Sequence, residues 1–177
     1  MKVYAAFKYR PISEYTIRSL RNSELYFCPT EDLNDPHDCN VDVERIVENL
    51  VSRSSGLDKA RFHELFKDKA LLRGIREGAA TLGIFSCSLT NQDTLMWAHY
   101  ADNHKGLCLR YDFPESFLAD DEKNPFMGTS AVRYEDNALT AWIEQNISLY
   151  EGSRKEFGMA LSKELVTCKG PSWSYEQ

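Results

Sequence analysis

No two of the five cysteines in this chain, Cys28, Cys39, Cys87, Cys108 and Cys168, stand in C-x-x-C spacing. That spacing is what a zinc knuckle or a dithiol redox site needs. With an odd number as well, the thiols are read as free and the compartment as a reducing cytoplasm. Glycine-rich phosphate loops are missing too. Neither G-x-G-x-x-G nor G-x-x-x-x-G-K occurs, so dinucleotide-fold and P-loop signatures are absent. No stretch approaches the ~20 apolar residues that span a bilayer. The start, Met1-Lys2-Val3-Tyr4, leads into no signal-peptide core. Positive charge is in short supply: 21 bases face 27 acids, a formal charge of −6. Duplex binding draws its non-specific affinity from phosphate neutralisation, so generic nucleic-acid binding is disfavoured. Repeats, low-complexity tracts and long charge runs are lacking.

What is present is a globular sequence. The 177 residues fit one domain, 1–177, at about 150 residues per domain. The apolar share of 42% is enough to build a core without staples. Val3 to Lys8 reads as a first strand closing at Arg10-Pro11, and Ser13 as the cap of a helix to about Asn22 with Ile17 and Leu20 inward. Glu24 to Cys28 reads as a second strand. After a turn-forming stretch from Thr30 to Asn40, Val43, Ile46, Val47, Leu50 and Val51 recur at helical spacing. Ser52 to Gly56 is a helix–helix loop, and a further helix runs from Asp58 to about Ala80 with Phe62, Leu65, Phe66, Leu72 and Ile75 inward.

Leu82 to Leu89 reads as a strand. A short helix then runs to about Asn103, capped by Asn91 or Asp93 and stopped by Gly106 in a left-handed conformation. Leu107 to Tyr111 and Ala131 to Tyr134 are strands. Asn137 to Tyr150 and Arg154 to Val166 are helices. The mixed order without strict βαβ alternation predicts an α+β fold, with a mixed, mostly antiparallel sheet packed with several amphipathic helices.

Four stretches carry residues suited to chemistry. Lys8, Tyr9 and Arg10 bring two cations and a phenol to a strand end, a set that suits an anion, though a solvated strand end looks the same. Asn34-Asp35-Pro36-His37-Asp38 offers metal ligands or a hydroxyl-positioning group. It reads equally as a side-chain-stabilised turn in which Asp38 or Asn40 caps the next helix. The helix around Met96-Trp97-Ala98-His99-Tyr100 gathers residues that are poor helix formers. Helical spacing sets Asp102 beside His99, the usual orienting partner of an acid–base histidine. Met96 and Trp97 read as core. Lastly, Lys169 to Gln177 alternates as a strand does, with Trp173 and Tyr175 on one side and Glu176 on the other.

Taken together, Phe7-Lys8-Tyr9-Arg10, Glu24-Leu25-Tyr26-Phe27, Leu33-Asn34-Asp35-Pro36, Phe85-Ser86-Cys87-Ser88, Leu95-Met96-Trp97-Ala98-His99-Tyr100-Ala101, Lys105-Gly106 and Lys169…Trp173-x-Tyr175-Glu176 resemble a bacterial family of unknown function, DUF2971. The resemblance implies association with mobile elements and phage defence. It also implies a further acid, aromatic and arginine after Gln177, so the chain reads as C-terminally shortened.

By similarity to the ADP-ribosyltransferase layout, Arg10 would hold the phosphates or ribose, Ser86 or Ser88 would stabilise the site, and Glu176 would polarise a ribose hydroxyl. Over the four stretches together, Arg10, His99 and Glu176 are the expected catalytic residues. Lys8, Tyr9, Asn34, Asp35, Ser86, Ser88, Trp97, Tyr100, Lys169 and Trp173 are the expected binding residues, and NAD is the expected dinucleotide. Glu176 would stabilise the positive charge that grows on the ribose. Two other readings stand beside this one: a non-catalytic module for a small molecule or protein partner, and a metal-dependent nuclease or hydrolase using Asp35, Asp38, His99 and Glu176. The residues leave open whether anything is turned over.

Overall fold

The structure is a computed structural model that describes residues 3–33, 41–67, 69–118, 128–135, 137–147 and 153–169. Among them, residues of 1–27 and 85–131 form one compact unit, and residues of 28–84 and 132–169 form another.

The first unit is built on β1 (Val3–Arg10), as the aromatic and β-branched start of that run predicts. β1 pairs antiparallel with β4 (Leu107–Pro114), in a register that sets Ala6 opposite Tyr111, Lys8 opposite Leu109, and Arg10 opposite Leu107. On its other edge Phe7 forms an isolated antiparallel bridge with Ser88, with backbone bonds of 2.8 and 2.7 Å in the two directions. Side chains alternate across a strand, so Tyr9 and Cys108 share one face while Lys8, Arg10 and Tyr111 share the other. α5 (Thr94–Tyr100) covers the Tyr9 face, where buried Tyr9, Met96 and Ala101 pack with Trp97, Tyr100 and Cys108. The four-residue α6 (Glu115–Leu118) follows β4.

α1 (Glu14–Asn22) is capped by Ser13, whose Oγ accepts from Thr16 N–H at 3.2 Å. Its inward residue is Thr16, which donates to the Pro11 carbonyl. Ile17 and Leu20, expected inward, are 43% and 48% exposed. The short connection from β1 ties the helix down at Thr16, which turns the apolar positions outward.

The second unit is helical. α2 (Val43–Arg53), α3 (Gly56–Phe66), α4 (Lys69–Ala80), α7 (Ala138–Ile147) and α8 (Arg154–Leu165) enclose a core that includes Val47, Leu50, Phe62, Ile75, Ile143 and Leu161. The helical spacing of Val43, Val47 and Leu50 is realised as expected, and Asp42 supplies the cap through Arg45 N–H at 3.0 Å. That role was expected of Asp38 or Asn40. The helix predicted from Asp58 to Ala80 is two helices, α3 and α4.

α4 and α8 touch closely. A Cβ on Gly158 would meet Leu71 Cδ1 at 2.9 Å, and one on Gly78 would meet Ser162 Oγ at 2.9 Å. Ser162 shares its hydroxyl proton between the Ile75 and Gly158 carbonyls, at 3.0 and 2.9 Å. α8 opens with a reciprocal capping box between Ser153 and Glu156.

The remaining strand structure is slight. β2 (Cys28–Pro29) pairs with β3 (Gly83–Ile84), and Arg133 forms a parallel bridge with Cys168. Strands expected over Glu24–Cys28, Leu82–Leu89 and Ala131–Tyr134 are thus short pairs or single bridges. Each segment has a partner for only one to three residues, and a strand exists only where its ladder does. The α+β expectation holds, with two small antiparallel sheets among the helices.

Candidate functional site

The expected site residues in the first unit separate across the β1 sheet. On the α5 side, the Tyr9 hydroxyl donates to the Thr90 carbonyl at 2.9 Å and accepts from Asp93 N–H at 3.3 Å. Burial pushes the Tyr9 phenol above its ordinary pKa, so it remains a donor. Trp97 Nε1 donates to the Asn91 carbonyl at 2.9 Å, and the Trp97 ring meets Tyr9 edge-on at 5.3 Å. Asp93 caps α5 by accepting from Leu95 and Met96 N–H. Ser88 is buried and its Oγ accepts from Thr90 N–H. Tyr9, Ser88 and Trp97 therefore hold the Thr90–Asp93 loop in shape. His99 is exposed, with its ring 6.4 Å from that of half-buried Tyr100.

α5 ends at Tyr100, three residues earlier than expected. Asp102, Asn103 and His104 then take left-handed conformations (φ 48°, 52° and 67°). Asn and Asp tolerate that region better than most residues. Asp102 is therefore off the helix, and the i, i+3 spacing that was to place it beside His99 does not exist. Gly106 has an ordinary φ. Its need for glycine is close approach, since a Cβ there would lie 2.3 Å from the Arg10 carbonyl and 2.9 Å from Ala101.

The opposite face gathers a different set. Lys8 Nζ donates to the Ser86 carbonyl at 2.5 Å and lies 4.6 Å over the Phe85 ring. Ser88 pairs with Phe7, so the intervening alternation puts exposed Cys87 beside Lys8. Phe85 meets Tyr111 edge-on at 5.2 Å, and Tyr111 stacks nearly parallel on Phe113 at 5.9 Å. Burial raises the Tyr111 phenol and the Cys87 thiol, and the Arg10 guanidinium draws both back down, with Lys8 also acting on Cys87. Arg10 makes no ion pair and no side-chain hydrogen bond among the described residues. Lys8 is occupied by the protein; half-buried Arg10 keeps donors to spare. Cys87 and Tyr111 went unremarked as site residues in the sequence because only the strand pairing puts them on one face with Arg10.

In the second unit Lys169 donates its backbone N–H to the Arg133 carbonyl at 2.8 Å. Arg133 Nη1 lies 2.8 Å from Glu164 Oε1, an ion pair whose directions do not make a hydrogen bond. Burial raises the Glu164 carboxyl, only partly countered by Arg133. Cys168 is pushed up to about 11, first by burial and then by the Glu164 charge. A groove of about 310 Å³ beside α2 and α3, floored by Val47, Val51, Phe62 and Phe66, contains none of the expected site residues.

Asn34, Asp35, Trp173 and Glu176 lie outside the described residues, as do His37 and Asp38. Among the described residues no group of three or more His, Cys, Asp or Glu is placed to hold a metal ion. No helix among them is long and apolar enough to cross a membrane.

A stretch that begins inside α5 and takes in β4, α7 and α8 matches a known family model. That model, described as "Protein of unknown function (DUF2971)", matches residues 96–177. Those residues, somewhat under half of the chain, are similar to the family that the motif resemblance named. No curated protein and no solved structure matches it.

Proposed function

We propose that the Lys8–Arg10 face of the first unit binds a phosphate-bearing nucleotide, and that NAD is its substrate in an ADP-ribosyltransferase-like reaction. The observation that carries the reading is Arg10, uncommitted to any described acid and on the same sheet face as Lys8 and Tyr111. A guanidinium presents several N–H donors in one plane, the geometry phosphate oxygens accept.

In this reading Arg10 holds the diphosphate, Ser86 borders the site, and Glu176 polarises a ribose hydroxyl. The ribose C1′–nitrogen bond breaks with its electron pair leaving on nicotinamide. Water or an acceptor side chain then bonds to C1′ and loses a proton. Positive charge builds on the ribose, and a carboxylate lowers the energy of that state. A toxin-like effector role in phage defence, implied by the resemblance, is the biological setting of this reading.

The same observation serves a binding module without turnover, and one substitution separates the two. Incubation of the full chain with NAD should release nicotinamide, and Glu176→Gln should abolish release while leaving NAD binding in place. Binding without release from the wild-type chain would leave the module reading. Failure to bind NAD or ADP would end both.

A further inference from the structure

Tyr111 is the side chain on this face that the sequence least advertises. Its ring is fixed from two sides, by the Phe85 edge at 5.2 Å and by Phe113 stacked at 5.9 Å with the planes 8° apart. A ring so held keeps its hydroxyl in one place at little further entropic cost. That hydroxyl lies in the field of Arg10, and burial keeps it protonated well above neutral pH. Lys8, between them in the register, is turned to Ser86 and Phe85.

The donors left on this face are thus a planar guanidinium and a fixed phenol, with an exposed thiol alongside. Phosphate oxygens accept from both kinds of donor, and a terminal phosphate offers three oxygens to them where a carboxylate offers two.

We propose that Tyr111 and Arg10 form a two-donor clamp for a phosphate group, which makes Tyr111 a further binding residue of the site. The clamp rests on the nucleotide reading above and names its phosphate contacts. The ligand class it selects is phosphorylated, with the diphosphate of a nucleotide as the fitting case. Cys87 stands at the rim, where an occupied clamp shields its sulfur.

The test is titration of the full chain with inorganic pyrophosphate and with ADP, for wild type, Tyr111→Phe and Arg10→Ala. Tyr111→Phe keeps the ring packing and removes one donor, so it should weaken both ligands about tenfold, the loss expected for one hydrogen bond to a charged group. Arg10→Ala should weaken them further. Alkylation of Cys87 by iodoacetamide, read by mass spectrometry in the wild-type chain, should slow when pyrophosphate is present. Unchanged affinity in Tyr111→Phe, with Arg10→Ala impaired, overturns the clamp and leaves the nucleotide reading standing. No binding of either ligand by wild type overturns both, and an unshielded Cys87 in a chain that binds pyrophosphate overturns the location.

Discussion

Glu164 is a buried carboxyl whose nearest cation does not meet it with a hydrogen bond, and its raised pKa has a definite consequence. A raised native pKa means that the folded chain holds the proton longer than the unfolded chain does. The stabilisation is complete below the ordinary glutamate value of about 4.3. It is lost as pH rises through the raised native value. Glu164→Gln removes this titration while keeping the shape. The urea midpoint of wild type relative to the variant should therefore fall between acid and neutral pH, and parallel profiles would refute the assignment.

Two other residues allow equally direct checks. A methyl on Gly106 collides with the Arg10 carbonyl, which is backbone and cannot swing aside. Gly106→Ala should therefore cost about 1–3 kcal/mol in denaturant unfolding, the usual range for overpacking. The Cys168 thiol, raised to about 11, should react with iodoacetamide at pH 8 more slowly than exposed Cys87.

Among the elements, α1 and α7 differ most in how their apolar residues are used. Ile143 of α7 is fully buried, whereas Ile17 and Leu20 of α1 are about half exposed. Ile143→Ala should cost about 2–5 kcal/mol, through lost transfer energy and the cavity it leaves. Ile17→Ser and Leu20→Ser should each shift stability by under about 0.5 kcal/mol, as surface substitutions do. Equal losses at the three positions would mean that α1 is covered in solution. α5 carries a second lesson. Its start is set by a local cap at Asp93, while its end is set by three left-handed residues, of which Asn103 and His104 donate their backbone N–H groups to the Ala98 and Trp97 carbonyls inside the helix.

For the molecule as a whole, the two units hold very different amounts of core among the described residues. The second buries a connected set from α2, α3, α4, α7 and α8, and the first a small cluster around Tyr9, Met96 and Ala101. Apolar burial is the main stabilising term, so amides of β1 and β4 should exchange through smaller openings than those of α8. Bound pyrophosphate or ADP should slow exchange in β1 and β4, because a ligand that binds only the folded unit stabilises it. Protection in β1 equal to that in α8 without ligand would refute the difference.

Much of this was legible in the chain before any coordinates. The spacing of Val43, Val47 and Leu50, and of Leu139, Ile143 and Ile147, determined helices and their inward faces, because a 3.6-residue period depends only on neighbours in sequence. The motif blocks pointed to the family whose model matches residues 96–177. What the sequence left undecided depended on distant partners. It read Leu82 to Leu89 as one strand, turned Ile17 and Leu20 of α1 inward, and made Gly106 a left-handed stop, where the structure has a short pair, an outward face and a close approach to the Arg10 carbonyl. Nor did it join Arg10 to Tyr111. Those two residues lie a hundred positions apart, and the register of β1 against β4 puts them on one face. Backbone pairing chooses that register through contacts that no local pattern encodes.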